Sequence, residues 1–239
     1  MKESKEGKFI HEPVMIGYDD LIAETLETGR TYNTPDGKSY PSITTILSIL
    51  SEESIRKWRA RVGEEEANRV STRASRRGTA VHEALEKYVN NVTWQELLDT
   101  ETPDVIQSIS SVRDVLDKSL GKVYGQEIPL YSHHLRCAGR VDCVAEFNGQ
   151  PSIIDYKTSK KLKPKKFIEN YFCQEAAYAI MWEERTGMPI TQLVTVIAVD
   201  AGNDGLPCAQ VVIEQRDNWT EMLMETIEKY EQRQSKRIG

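Results

Sequence analysis

Apolar residues recur at helical spacing through the first half of the chain and switch to strand-like runs after about residue 120. A short helical candidate lies around Asp19–Thr28, inside an otherwise polar N-terminal stretch, residues 1–30. Residues 31–40, with Pro35-Asp36-Gly37 at their centre, read as a hairpin of two short strands. Ser42 can cap a helix carrying Ile43, Ile46, Leu47 and Leu50. Ser51-Glu52-Glu53-Ser54 opens another, with Ile55, Trp58 and Val62 on one face, and helical spacing then runs to about Asn90. Pro103–Leu120 is a further helix on Val105, Ile109, Val112 and Leu116. Beyond it, Lys122–Ser132, Leu135–Phe147 and Ser152–Thr158 alternate or run apolar as strands do, and Asn148-Gly149 makes the turn between the last two. A helix over about Lys165–Thr186, strands Gln192–Asp200 and Cys208–Glu214, and an amphipathic helix on Trp219, Leu223, Ile227 and Tyr230 complete the pattern. This order predicts an α/β fold: a mixed central sheet flanked by helices, with a helical N-terminal portion packed on it. Residues 31–239 read as one domain, helical over 31–120 and sheet-based over 121–239, with no internal repeat.

Composition narrows the class. The 239 residues are 39% hydrophobic and 28% charged, an ordinary globular mix that excludes collagen-like, disordered and disulfide-scaffold chains. A net charge of −6 excludes a wholly basic nucleic-acid coat but leaves room for a local basic patch. No apolar run approaches the roughly 18 residues of a membrane span, so no membrane partner is expected. Met1–Phe9 mixes Lys and Glu and does not read as a secretory signal, and its acids argue against a mitochondrial presequence. Cys137, Cys143, Cys173 and Cys208 lie far apart without a CxxC pair. They read as reduced thiols of a cytoplasmic protein, with no zinc ribbon and no iron–sulfur cluster.

The chemistry concentrates in Gly139-Arg140-Val141-Asp142 and Ile153-Ile154-Asp155-Tyr156-Lys157. Strand alternation points Asp155 and Lys157 to one face and Ile154 and Tyr156 to the other, with Asp142 on the neighbouring strand of the hairpin. Two carboxylates and an ammonium can thus converge, and carboxylate oxygens suit Mg²⁺ or Mn²⁺. A lysine beside such an ion can orient or deprotonate an attacking water and offset charge on a phosphate. A lone Asp-x-Lys is more often a surface charge pair, so the neighbours matter. His82 shares a helical face with Gly78, Leu85 and Val89, a pattern that equally fits a core histidine. Gly78 costs helix stability and is expected to admit the close approach of another backbone. Gln174 and Tyr178, one turn apart, share a face with Tyr171 and Met181 and either pack in the core or reach the site. From Lys157 to Lys166 there are six lysines and no acid. Lys160, Lys161 and Lys163, with Arg73, Arg76 and Arg77 ahead of His82, suit a phosphate backbone, although a solvated loop would look the same.

His82, Glu127, Gly139-Arg140-Val141-Asp142, Asp155-Tyr156-Lys157 and Gln174-x-x-x-Tyr178, in this order, resemble the RecB-like branch of the PD-(D/E)XK nuclease superfamily. Asp142–Glu146, Asp155–Ser159 and the Gln174 helix, with the upstream Tyr40–Leu47, Trp58 and Arg61, are similar to its mitochondrial genome maintenance exonuclease group and to phage relatives. The resemblance implies a restriction-endonuclease-like core. It also implies metal ligation by His82, Asp142, Asp155 and the carbonyl of Tyr156. Lys157 would be the catalytic lysine, and Gln174 and Tyr178 would support the site or the DNA. Glu127 matches a glutamate on the preceding strand whose expected role is to orient basic residues. The expected activity is Mg²⁺- or Mn²⁺-dependent exonuclease action on DNA with a free end, preferring single strands. The expected setting is a bacterial or phage-infected cytoplasm, in DNA replication, repair or recombination. The alternatives are a double-strand 5′ exonuclease of phage recombination, which as a ring former would be a trimer, a restriction-type endonuclease, and a nucleic-acid-binding module with a vestigial site.

Overall fold

The computed structural model describes residues 8–26 and 28–238. A small antiparallel sheet opens the chain: β1 (Ile22–Leu26), β2 (Gly29–Asn33) and β3 (Ser39–Pro41). The hairpin expected over 31–40 is the β2–β3 pair, but the helix expected at Asp19–Thr28 is instead β1, paired with β2 from Ile22↔Asn33 to Leu26↔Gly29. β1 is exposed along its whole length. With no buried face, its few apolar residues carry no period that separates strand from helix. Most of Met1–Phe9 lies outside the described residues.

Four helical elements follow: α1 (Ile43–Leu47), α2 (Glu52–Val62), α3 (Glu64–Val89) and α4 (Trp94–Thr100), and α5 (Pro103–Ser119) leads into the main sheet. The Ser42 hydroxyl accepts the Thr45 N–H at 3.0 Å and so caps α1 as its side-chain chemistry dictates. Leu50 lies in a separate 3-10 turn and is exposed. The main sheet runs β4 (Leu120–Ser132), β5 (Cys137–Phe147), β6 (Gln150–Lys161), then α6 (Glu169–Thr186), β7 (Gln192–Ala201), β8 (Cys208–Gln215) and α7 (Asp217–Ile238). Its five strands lie in sequence order. All pairs are antiparallel except β6–β7, which α6 joins as a parallel crossover. Asn148 and Gly149, both at positive φ (52° and 79°), form the β5–β6 turn.

Two apolar layers cover the sheet. Ile43, Ile46 and Leu47 of α1, the inner face of α6, and Leu223 and Ile227 of α7 pack with Val144, Ile153 and Leu193. Val81, Leu85 and Val89 of α3, and Val105, Ile109, Val112 and Leu116 of α5, pack with Cys143, Ile154, Tyr156 and Val196 on the other side. The N-terminal segment ties these parts together. Ile10, Glu12 and Val14 hydrogen-bond to Val123 and Tyr124 of β4. Phe9 exchanges two hydrogen bonds with Asn91 just past α3. The end of α3 is thereby fixed against β4. Among the described residues no helix is long and apolar enough to cross a membrane.

The feature that positions the site is a fork. β5 and β6 pair from Phe147↔Gln150 only as far as Cys143↔Ile154. β5 continues along β4 to Cys137, and β6 continues along β7 to Lys161. The first residues past the last pair are Asp142 and Asp155. A Cβ on Gly139 would lie 2.7 Å from Tyr178 Cε1 and 3.3 Å from Ile43 Cγ2, so glycine there lets α6 and α1 rest on the β5 backbone.

Candidate active site

On one side of the fork Asp142 Oδ2 accepts the Tyr156 N–H at 2.7 Å, replacing the ladder partner that the parting strands withdraw. His82 Nδ1 lies 3.4 Å from the same oxygen. The imidazole stands edge-on to the buried Tyr156 ring, 6.3 Å between centroids at 88°. Glu127 belongs to β4, between the pairs Gln126↔Cys143 and Ile128↔Val141 and thus opposite Asp142. Its left-handed backbone, φ 50°, departs from the strand's alternation. Donor atoms of His82, Glu127 and Asp142 all lie within 4.8 Å of one another, and all three residues are partly exposed.

On the other side Asp155 is 1% exposed. Its Oδ2 forms an ion pair with Lys157, and its Oδ1 accepts from Gln174 Nε2 at 3.2 Å. The same amide reaches Tyr178 Oη at 3.4 Å, so the two α6 residues act as one support beneath Asp155. Lys157 Nζ also faces the Tyr171 ring, 5.2 Å from its centroid. Behind them Glu175 is fully buried and accepts the Thr195 hydroxyl.

These environments set the charges. Burial alone would depress His82, but the hydrogen bond and charge of Asp142 outweigh it and raise the imidazole above its ordinary value. Burial likewise acts to raise Asp142, yet His82, Lys157 and the Tyr156 N–H hold it below the usual carboxylate range. Burial, then the charges of Asp142 and Glu86, push Glu127 up to about 7. Burial also raises Asp155, against the opposing pull of Lys157. Lys157 is raised despite its burial because Asp155 and Asp142 retain its proton. It is therefore an ammonium, a donor rather than a base. Glu175 is raised far above normal by burial and then by Asp155.

The donor set fits a hard divalent cation. It offers carboxylate oxygens and one imidazole, the mixture that holds Mg²⁺ or Mn²⁺. The charge of Asp142 makes ionisation of Glu127 costlier, and a cation between them would remove that repulsion. Asp155 shares the fork with Asp142, while its side chain is engaged by Lys157 and Gln174. The Tyr156 side chain points into the α3–α5 layer, so only its backbone faces the fork.

The basic residues divide. A groove of about 890 Å³ is bordered by Arg69, Arg73 and Arg77 of α3, by Lys160 and Lys161 at the end of β6 and Lys163 just beyond it, and by Tyr171, whose ring faces Lys157. Arg77 is held by Asp200, at 2.7 Å from Nη1 to Oδ2, and by Ser108 at 2.9 Å. Arg76 faces a second depression of about 690 Å³ between α3 and the start of α5. Trp58 is partly exposed on α2 and does not border the lysine-lined groove. Gly78 corrects an expectation: among the described residues a Cβ there would meet nothing within 4 Å, so none of their backbone outside α3 approaches it. Sequence reasoning did not place Glu127 among the cation donors, and it missed Glu175. The signal for the latter was present, an acid among Phe172, Cys173, Ala176 and Ala179 on an otherwise apolar helix face.

Comparison with known proteins gives the same frame. The family model described as the PD-(D/E)XK nuclease superfamily matches residues 52–237. The human mitochondrial genome maintenance exonuclease 1 is 28% identical over 214 residues, 83% of this chain and 60% of that protein. The mouse protein of the same name is 31% identical over 134 residues, 53% of this chain and 39% of its own length. The chain thus spans less than two thirds of either relative. A crystal structure of Scheffersomyces stipitis Rai1 overlaps with a TM-score of 0.30 at 13% identity, covering 88% of this chain and 52% of that one, too weak a likeness to carry weight.

Proposed function

The chain belongs to the PD-(D/E)XK nuclease superfamily, and from that premise we propose that it is a divalent-metal-dependent DNA exonuclease that prefers single strands. The observation that carries this reading is the fork itself. It brings three acidic residues, an imidazole and a charged lysine together at one opening in the sheet, and Tyr171 beside that lysine also borders a basic groove. The similarity to the two mitochondrial exonucleases supports the choice of DNA and of action at an end.

In this reading His82, Glu127 and Asp142 hold the cation, with Asp155 beside them. When bound there, a divalent ion would supply Lewis-acid stabilisation of the charge on a phosphoryl oxygen. The other roles belong to the chain's own groups. The Lys157 ammonium donates to a phosphate oxygen, in the place Asp155 and the Tyr171 ring fix for it. Gln174 and Tyr178 keep Asp155 oriented from below. Water attacks phosphorus in line and gives up a proton to solvent, while the P–O bond to the leaving oxygen breaks and that oxygen takes a proton from solvent. Arg69, Arg73, Lys160, Lys161 and Lys163 draw the strand along the groove through its phosphates, without reading bases. The four free cysteines suit the reducing cytoplasm proposed as its setting.

The test is digestion of end-labelled linear single-stranded DNA, the matched duplex and a covalently closed single-stranded circle in Mg²⁺. The expected result is release of label from the linear strand, an intact circle, and an inert Lys157→Ala protein. Cutting of the circle would make the protein an endonuclease, and faster loss of the duplex would make it a double-strand exonuclease. Inactivity on all three in Mg²⁺ and in Mn²⁺ would end the nuclease proposal.

A further inference from the structure

Among the described residues Glu127 is the one non-glycine residue that takes a positive φ inside a strand; Asn91, Arg136 and Asn148 take theirs in turns. Such a backbone is unfavourable for a residue with a side chain and persists only where its surroundings hold it. The pairing of β4 with β5 passes from Gln126↔Cys143 to Ile128↔Val141, so Glu127 forms no ladder pair. Its carbonyl oxygen instead accepts from Arg140 Nη1 at 2.6 Å. Arg140 stands on β5 two residues before Asp142, and therefore on the same face of the strand. Its other terminal nitrogen, Nη2, forms an ion pair with Asp20, just ahead of β1. Asp20 is itself seated. Its Oδ1 also accepts the Leu21 N–H at 2.7 Å, Leu21 is buried with Tyr131 and Ala138, and the Tyr18 hydroxyl donates to the Pro129 carbonyl at 2.9 Å. One guanidinium thus links the segment 18–21 to the left-handed residue of the candidate cation cluster.

We infer that Arg140 is a positioning residue: braced by Asp20, it fixes the Glu127 backbone so that the carboxylate is presented to His82 and Asp142. This rests on the reading of that cluster as a cation site, and adds which groups hold it in shape. The task needs the planar fork of arginine, because a lysine ammonium is a single point that cannot reach Glu127 and Asp20 along two directions. Charge and position act in opposite senses here. A positive charge beside the cluster repels a cation, so by charge alone the loss of Arg140 would tighten cation binding. Acting through the Glu127 backbone, the same loss weakens it. The Asp20 side chain is more exposed than that of Arg140, 63% against 33%, so its share of the effect is the smaller.

The experiment is calorimetric titration of Mn²⁺ into the full chain, with melting in EDTA to show that each variant is folded. Arg140→Ala is expected to weaken Mn²⁺ binding about tenfold, and Arg140→Lys nearly as much although it keeps the charge. Asp20→Ala should weaken it about threefold, while Asp20→Asn, which keeps an accepting oxygen, should stay within about twofold of wild type. In Glu127→Gln, where the carboxylate is already lost, adding Arg140→Ala should cost less than about twofold more. Mn²⁺ binding as tight as wild type or tighter in Arg140→Ala would overturn the inference, and so would full additivity with Glu127→Gln. If Arg140→Ala does not fold, Arg140→Lys carries the same test, and wild-type affinity there overturns the inference. A wild-type protein that binds no Mn²⁺, or whose binding Glu127→Gln leaves unchanged, would overturn the cation reading as well, which keeps the two failures apart.

Discussion

Asp142 and Asp155 are neighbours across one fork, yet they are held in opposite ways. Asp142 is partly exposed, faces α3, and gathers His82 and Glu127 around it, so that three donor atoms lie within 4.8 Å of one another. Asp155 is buried, faces α6, and has its oxygens engaged by Lys157 and Gln174. Its surroundings oppose ionisation, whereas those of Asp142 favour it. Two carboxyl groups of one chemistry thus acquire different tasks from their neighbours. In the proposed function the Asp142 side holds the ion, and the Asp155 side positions the lysine.

The largest effects should come from removing either centre. Asp142→Asn and Lys157→Ala should each lower single-strand turnover at least a thousandfold, measured by release of end label at saturating Mg²⁺. The sharper comparison uses their supports. Glu127→Gln should weaken Mn²⁺ binding by roughly 10–100-fold in a calorimetric titration. Gln174→Ala should lower kcat by about tenfold, a typical cost for a lost support, and leave that affinity within a factor of two. Equal losses of Mn²⁺ affinity in both variants would abolish the division of labour.

A smaller effect separates the two sides by pH. Burial, then the charge of Asp155, raises the Glu175 carboxyl well above its ordinary 4.5. A raised folded-state pKa gives stability that is present below the unfolded value and lost as pH rises towards the folded one. Glu175→Gln should therefore gain on wild type in melting temperature between pH 5 and pH 8 in EDTA, and parallel curves would show that Glu175 is not held protonated. The smallest effect belongs to the groove. Lys161→Ala should reduce the slope of log affinity against log salt by about 0.7 for a single strand, uniformly over base sequence.

Much of this was legible in the chain. The Asn148-Gly149 turn and the alternation on either side of it put Asp142 and Asp155 on adjoining strands, and Asp155 and Lys157 on one face, as found. His82, Gln174 and Tyr178 reach the same fork because helical periods of four residues keep them on inward faces. What escaped depends on geometry that no period encodes. Glu127 reaches the cluster through one left-handed residue in a strand, and alternation cannot see that. β1 is exposed on both faces, so burial imposes no pattern on it. Gly78 was read as a close-packed position because a helical glycine looks the same in sequence whether it meets another backbone or empty space.

The measurement that bears most directly on the division between the two sides is anomalous diffraction from crystals of the wild-type protein soaked in Mn²⁺. The account predicts a peak within bonding distance of His82, Glu127 and Asp142, with Lys157 still paired to Asp155. A peak elsewhere on the protein, or none at saturating Mn²⁺, would contradict it.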